Sequence, residues 1–175
     1  LTGFWDWWRS TTHGNQALAL AVAQPGDRVV VARTLHRSML LGLVLAGLDP
    51  VWVRAEVDPT HGLPTGVTAS ALEAALATAP DARAVFVGDP SYVGTVGDVG
   101  ALATVAHRYG IPLVVDAAWG AHLGFHPALP PHALAAGADA LVTSAHKALP
   151  AWSQGALVFA RTRRIGRARF DAAVE

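Results

Sequence analysis

Residues 112–116 read PLVVD, and residues 140–147 read ALVTSAHK. Each is a short aliphatic run that ends on chemistry. The first ends on a carboxylate, Asp116, and the second on a hydroxyl, an imidazole and an amine: Ser144, His146 and Lys147. The aliphatic part is continuous rather than alternating, which a strand requires when helices cover both faces of its sheet. In parallel α/β sheets ligands bind beyond the carboxyl ends of the strands, where these polar residues fall.

Outward from this pair the same pattern repeats. Arg28–Arg33 (RVVVAR), Val51–Arg54, Ala84–Gly88 (AVFVG) and Ala156–Ala160 read as further strands. Helical segments are predicted over Gly14–Gln24, His36–Ala46, Ser70–Ala79, Val99–Tyr109 and Pro131–Ala136. Strands alternating with helices predict an α/β fold of three layers, a mostly parallel sheet with helices on both faces. No internal repeat, low-complexity tract or linker interrupts the pattern, so one domain over residues 1–175 is expected.

Composition sets the function classes aside in turn. Hydrophobic residues make up 52% and charged residues 15% of the 175, which excludes disorder. A formal net charge of zero removes the electrostatic case for nucleic acid or an acidic membrane. The chain has no apolar stretch of about 18 residues, and a soluble cytoplasmic protein is the default expectation. With no cysteine, disulfide and thiol chemistry are excluded. The basic cluster Arg161, Arg163, Arg164, Arg167 and Arg169 is local and reads as a solvated helix face rather than a phosphate site.

The basic residues comprise twelve arginines and a single lysine, Lys147. Any reaction that needs a lysine amine therefore has one candidate. A packed stem with the amine at a strand end gives partly desolvated surroundings, which lower the amine's pKa and let it attack a carbonyl. The plain alternative is a surface lysine, and its isolation beside Ser144 and His146 favours chemistry. Asp116 needs a partner, because a buried charge is expensive unless paired. That partner is a helix end, a metal, or a cation such as a protonated pyridine nitrogen. Among eight histidines only His122 and His126 approach metal spacing, and Gly124 and Pro127 break the helix they would need, so no metal site is expected. The segment Ser10-Thr11-Thr12-His13-Gly14-Asn15 precedes a helix and offers hydroxyls, a glycine and free N–H groups to an anion. Dinucleotide, Walker and nucleophile-elbow motifs are missing.

Three blocks together resemble the Orn/Lys/Arg decarboxylase family, bacterial basic amino acid decarboxylases of the aminotransferase-like fold (fold type I). The specific block runs from Asp116-Ala-Ala-Trp119-Gly-Ala-His122 through Ser144-Ala-His146-Lys147 to Gln154-Gly-Ala156. Arg33-Thr-Leu-His36-Arg-Ser38 and Pro90-Ser-Tyr92-Val-Gly94 support it. The resemblance implies the large domain of a pyridoxal-phosphate enzyme, without the family's N-terminal portion and C-terminal domain. It implies that Lys147 holds pyridoxal 5′-phosphate as an internal aldimine and that Asp116 pairs with the pyridine nitrogen. His36 would stack on the ring, and Thr11, Thr12, Ser144 and His146 would surround the phosphate. Trp119 or His122 would lie near the cofactor or substrate. The implied reaction is decarboxylation of lysine, ornithine or arginine, in a homodimer or higher homo-oligomer. An aminotransferase or lyase of the same fold, or a catalytically incompetent fragment, would carry the same residues. The family opens its phosphate loop on Asn-Gly where this chain has Arg9-Ser10, and weak cofactor binding by the chain alone is the expected consequence.

Overall fold

The computed structural model describes residues 3–8, 10–161 and 163–174, with the backbone only for residues 4–7. Arg9, which with Ser10 stands where the family has Asn-Gly, lies outside the described residues. In chain order the elements are β1 (Gly3–Trp8), α1 (Thr11–Val22), β2 (Arg28–Ala32), α2 (Arg37–Leu45), β3 (Asp49–Val53), β4 (Glu56–Val57), β5 (Pro64–Gly66) and α3 (Ala69–Thr78). There follow β6 (Val85–Gly88), α4 (Val99–Arg108), β7 (Leu113–Asp116), α5 (Ala133–Ala136), β8 (Ala140–Ser144), α6 (Ala145–Ala148), β9 (Ala156–Arg161) and α7 (Arg167–Val174).

Seven strands form one sheet in the order β1-β9-β8-β7-β6-β2-β3, and β4 and β5 make a separate small hairpin. From β8 to β3 every neighbouring pair is parallel. β9 lies antiparallel to β8, and β1 antiparallel to β9. The chain runs outward from β2 to β3, then returns to the other side of β2 for β6, β7 and β8. The order therefore reverses between β2 and β6, the switch point at which a crevice opens past the strand ends.

Helices α1, α2 and α7 pack together on one face, and α3, α4 and α5 on the other, giving the expected three layers. The central strands β7 and β8 are buried at every position, so their aliphatic runs serve both layers at once. Helix α1 comes close to the sheet because Gly14 has no side chain. A Cβ there would stand 2.8 Å from Val158 Cγ2 and 3.0 Å from Val142 Cγ1. Gly14 is thus a packing residue in this fold, although the sequence had suggested it for an anion cup.

Two readings of the sequence are revised by the structure. The first helix begins at Thr11 rather than Gly14, because Ser10 Oγ accepts the Thr12 N–H at 3.0 Å and caps the first turn. The arginine cluster is not one solvated helix face. Arg161 and Arg164 lie before α7, the former donating to the Leu134 carbonyl and the latter to Asp139. Arg169, within α7, donates to the Ala23 carbonyl at the end of α1 at 3.0 Å. An arginine reaches such carbonyls readily because its guanidinium carries five donors and stays charged.

Candidate active site

Asp116 closes β7 and is 5% exposed. Its Oδ1 accepts the Ala118 N–H at 3.1 Å, and its Oδ2 accepts from Asn15 Nδ2 at 2.7 Å. The carboxylate therefore has a fixed orientation at the end of the sheet. Lys147 lies on α6, the single turn that follows β8, with Nζ 4.7 Å from the centre of the Trp119 ring. An ammonium over an indole face is held by the ring quadrupole, which directs the amine back over the strand ends.

His36 stands after β2 at the start of α2. Its Nδ1 accepts the Ser38 N–H at 3.2 Å and lies 2.8 Å from Ser38 Oγ, so the imidazole caps the helix. These residues share one cavity of about 360 Å³, whose walls include His36, Arg37, Tyr92, Asp116, Trp119 and Lys147. Its size lies within the ~300–1,000 Å³ range of small-molecule sites, and its place is the switch point between β2 and β6.

The remaining sequence candidates lie around this cavity rather than in its walls. Ser144 is buried, and its Oγ is 3.4 Å from Thr11 Oγ1, which brings β8 and the start of α1 together. The Thr12 N–H is already taken by Ser10, leaving its hydroxyl as the polar group that Thr12 can offer. His146 Nδ1 accepts the Gly155 N–H at 3.2 Å, holding the loop before β9 against α6. His122 is exposed on the turn after Trp119 and is not a wall of the cavity. Of the pair named from sequence, Trp119 is the side chain beside Lys147.

Asn15, Ser38 and Tyr92 belong to the site and were assigned no role from sequence. Asn15 left a trace: α1 buries Gly14, Asn15, Ala17, Leu18, Ala19 and Ala21, and an amide is the one polar group in that apolar stripe. A polar residue on a core-facing stripe must have a partner there.

Beside the cavity, at the end of β6, Asp89 is 8% exposed and its Oδ1 accepts the Gly97 N–H at 2.6 Å. Burial pushes its carboxyl from the ordinary 3.8 up to about 6, against the smaller opposing effect of the Gly97 N–H. A carboxyl raised in the folded state favours folding while protonated. That contribution is complete below pH 3.8 and is lost as the pH rises through about 6. Asp89→Asn keeps the acceptor for Gly97 and removes the charge. It is expected to stabilise the protein above pH 6 by up to about 3 kcal/mol, a difference that vanishes toward pH 4. Denaturant unfolding of both proteins across that range measures it.

The family described as "Orn/Lys/Arg decarboxylase, major domain" matches residues 5–175. The chain is 41% identical over 145 residues to the protein YaaO of Bacillus subtilis (strain 168), covering 83% of this chain and 30% of that one. It is 32% identical over 164 residues to the arginine decarboxylase of the same organism, covering 94% and 34% respectively. The chain thus spans about a third of the length of these relatives. Among solved structures, N-succinyldiaminopimelate aminotransferase from Mycobacterium tuberculosis superposes with a TM-score of 0.70 at 22% identity, over 97% of this chain and 48% of that one. That likeness is one of fold.

Proposed function

We propose that this chain, which belongs to the Orn/Lys/Arg decarboxylase family, binds pyridoxal 5′-phosphate at Lys147 and forms the cofactor-binding core of a basic amino acid decarboxylase. One observation carries the reading: the only lysine and a deeply buried carboxylate, 31 positions apart in a chain of 175, line the same cavity. The donor set fits the group. Asp116 accepts two hydrogen bonds from the protein and, as a carboxylate with about four acceptor sites, has capacity left for a protonated ring nitrogen. His36, at the start of α2, lines the same cavity. The hydroxyls of Thr11, Thr12 and Ser144, with His146, are the groups assigned to the phosphate in this reading; the 3.4 Å approach of Ser144 Oγ to Thr11 Oγ1, which joins β8 to the start of α1, supports it.

When bound, pyridoxal 5′-phosphate supplies an electron sink for the bond-breaking step. The protein's part is to hold and orient. Lys147 supplies the amine that attaches the group and, once displaced by substrate, a base that can carry a proton within the cavity. Asp116 keeps a proton on the ring nitrogen by charge pairing. Trp119 shields one side of the Lys147 amine from water. Arginine is the first substrate to test, since a relative at 32% identity bears the name arginine decarboxylase; lysine and ornithine complete the set.

The test is release of labelled carbon dioxide from these three amino acids, with and without added pyridoxal 5′-phosphate. Slow, cofactor-dependent release from one of them is expected. Transfer of the amino group to a keto acid, with no carbon dioxide, would place the chain in a different chemistry on the same fold. Asp116→Asn is expected to retain cofactor at Lys147 yet lose turnover about 10²-fold, the scale on which removing a preorganised electrostatic group acts. Steady-state rates with cofactor content measured in parallel separate the two effects.

A further inference from the structure

Asn15 is completely buried on α1 and spends both amide hydrogens at the site. One goes to Asp116 Oδ2 at 2.7 Å and the other to Ser38 Oγ at 2.9 Å. Its own Oδ1 is buried with no hydrogen-bond partner among the described residues. An unpaired buried amide oxygen has given up its hydration with nothing in return. A half-satisfied polar residue is a poor choice for stability alone, since an apolar side chain would avoid the penalty. The amide cannot turn over to relieve it. A carboxylate accepts only, so the nitrogen must face Asp116 and the oxygen must face away.

The bonds continue beyond Asn15. Ser38 Oγ accepts from Asn15, so its single O–H is free to donate to His36 Nδ1, 2.8 Å away. The Ser38 N–H donates to the same nitrogen at 3.2 Å. With two donors on Nδ1, the neutral ring carries its proton on Nε2. Asp116, Asn15, Ser38 and His36 therefore form one continuous chain, joining β7, α1 and α2 and ending at both sides on residues that line the cavity.

We propose that Asn15 is a positioning residue that sets Asp116 and His36 as a single unit, so that the group binding the ring nitrogen and the group facing the ring are fixed relative to each other. This rests on the reading of the cavity as a pyridoxal-phosphate site. Asn15 touches neither the cofactor nor the substrate; it acts through Asp116 and Ser38.

A double-mutant cycle on pyridoxal 5′-phosphate affinity tests it, using Asn15→Leu, Asp116→Asn and the double variant, with binding followed by visible absorbance. Removing one charge-assisted donor should weaken cofactor binding about tenfold or more in the wild-type background. In the Asp116→Asn background the same change should have less than about a twofold effect, because the charge it orients is gone. Equal weakening in both backgrounds would show that Asn15 only fills space, and would overturn the proposal. Thermal melts of the cofactor-free proteins report any general loss of folding. Should Asn15→Leu not fold, the smaller Asn15→Ser takes its place in the cycle with the same expectation. The premise has its own readout: borohydride treatment of the wild type with cofactor should label the Lys147 peptide. A labelled wild type with an additive cycle refutes the role of Asn15 alone, whereas no label refutes the cofactor reading and the inference with it.

Discussion

Lys147→Ala is expected to abolish covalent attachment of pyridoxal 5′-phosphate and to lower any cofactor-dependent turnover by about 10³-fold, within the range lost when a positioned proton carrier is removed. The chain offers a sharp form of this experiment because it contains one lysine. Borohydride reduction of the wild type with cofactor should place the label on a single internal peptide, apart from reaction at the N-terminal amine. In the variant that peptide should be unlabelled and the visible absorbance band lost. An internal adduct that survives the substitution would remove Lys147 from the site. Folding should be spared, since Lys147 is partly exposed at the surface of the cavity and its recorded contact is a cation over the Trp119 ring, an interaction of about 0.5–2 kcal/mol.

The largest loss of stability is expected far from that chemistry. Asp139 precedes β8, at the amino ends of the central strands and so opposite the cavity, and is 1% exposed. Its Oδ2 accepts from His107 Nε2 at 2.8 Å and from the Leu113 N–H at 2.9 Å, and its Oδ1 accepts from Arg164 Nη1 at 3.0 Å. One carboxylate thus joins α4, the start of β7, β8 and the segment between β9 and α7. Asp139→Ala would leave a mostly buried guanidinium and a buried backbone N–H without their acceptor. Removing one partner of such a buried pair costs about 3–5 kcal/mol. For a chain of this size the melting temperature should fall by about 6–20 °C, measured by thermal unfolding at neutral pH. A fall of less than a few degrees would mean that water replaces the carboxylate and that the cluster is dispensable.

Much of the fold was legible because its signals are local. The aliphatic runs of β2, β6, β7 and β8 announce strands covered on both sides, and the observed strands lie within a residue or two of those read from sequence. Asp116 and Lys147 stood out for the same reason, as polar residues ending apolar runs. The edge of the sheet was less readable. β1, over the tryptophan-rich segment that begins the chain, is a strand because its backbone pairs with β9 from Gly3 opposite Arg161 to Trp8 opposite Ala156. Nothing within six residues announces a pairing formed some 150 positions away. The arginines followed the same pattern: their composition suggested a solvated face, while their acceptors, the Leu134 and Ala23 carbonyls and Asp139, come from elsewhere in the chain.

The sequence by itself determined the layered α/β architecture, the strand ends at which chemistry would gather and the single lysine that could perform it. These follow from periodicity and residue type, which act over a few neighbouring positions. Only the tertiary structure decided which candidates meet. It set Lys147 over Trp119 and left His122 outside the cavity walls, packed Gly14 against Val142 and Val158 of the sheet, and aimed Asn15 at Asp116 across 101 positions of sequence. The physical reason is direction. A hydrogen bond acts over about 3 Å and along a fixed axis, and that axis is set by how α1 seats on the sheet.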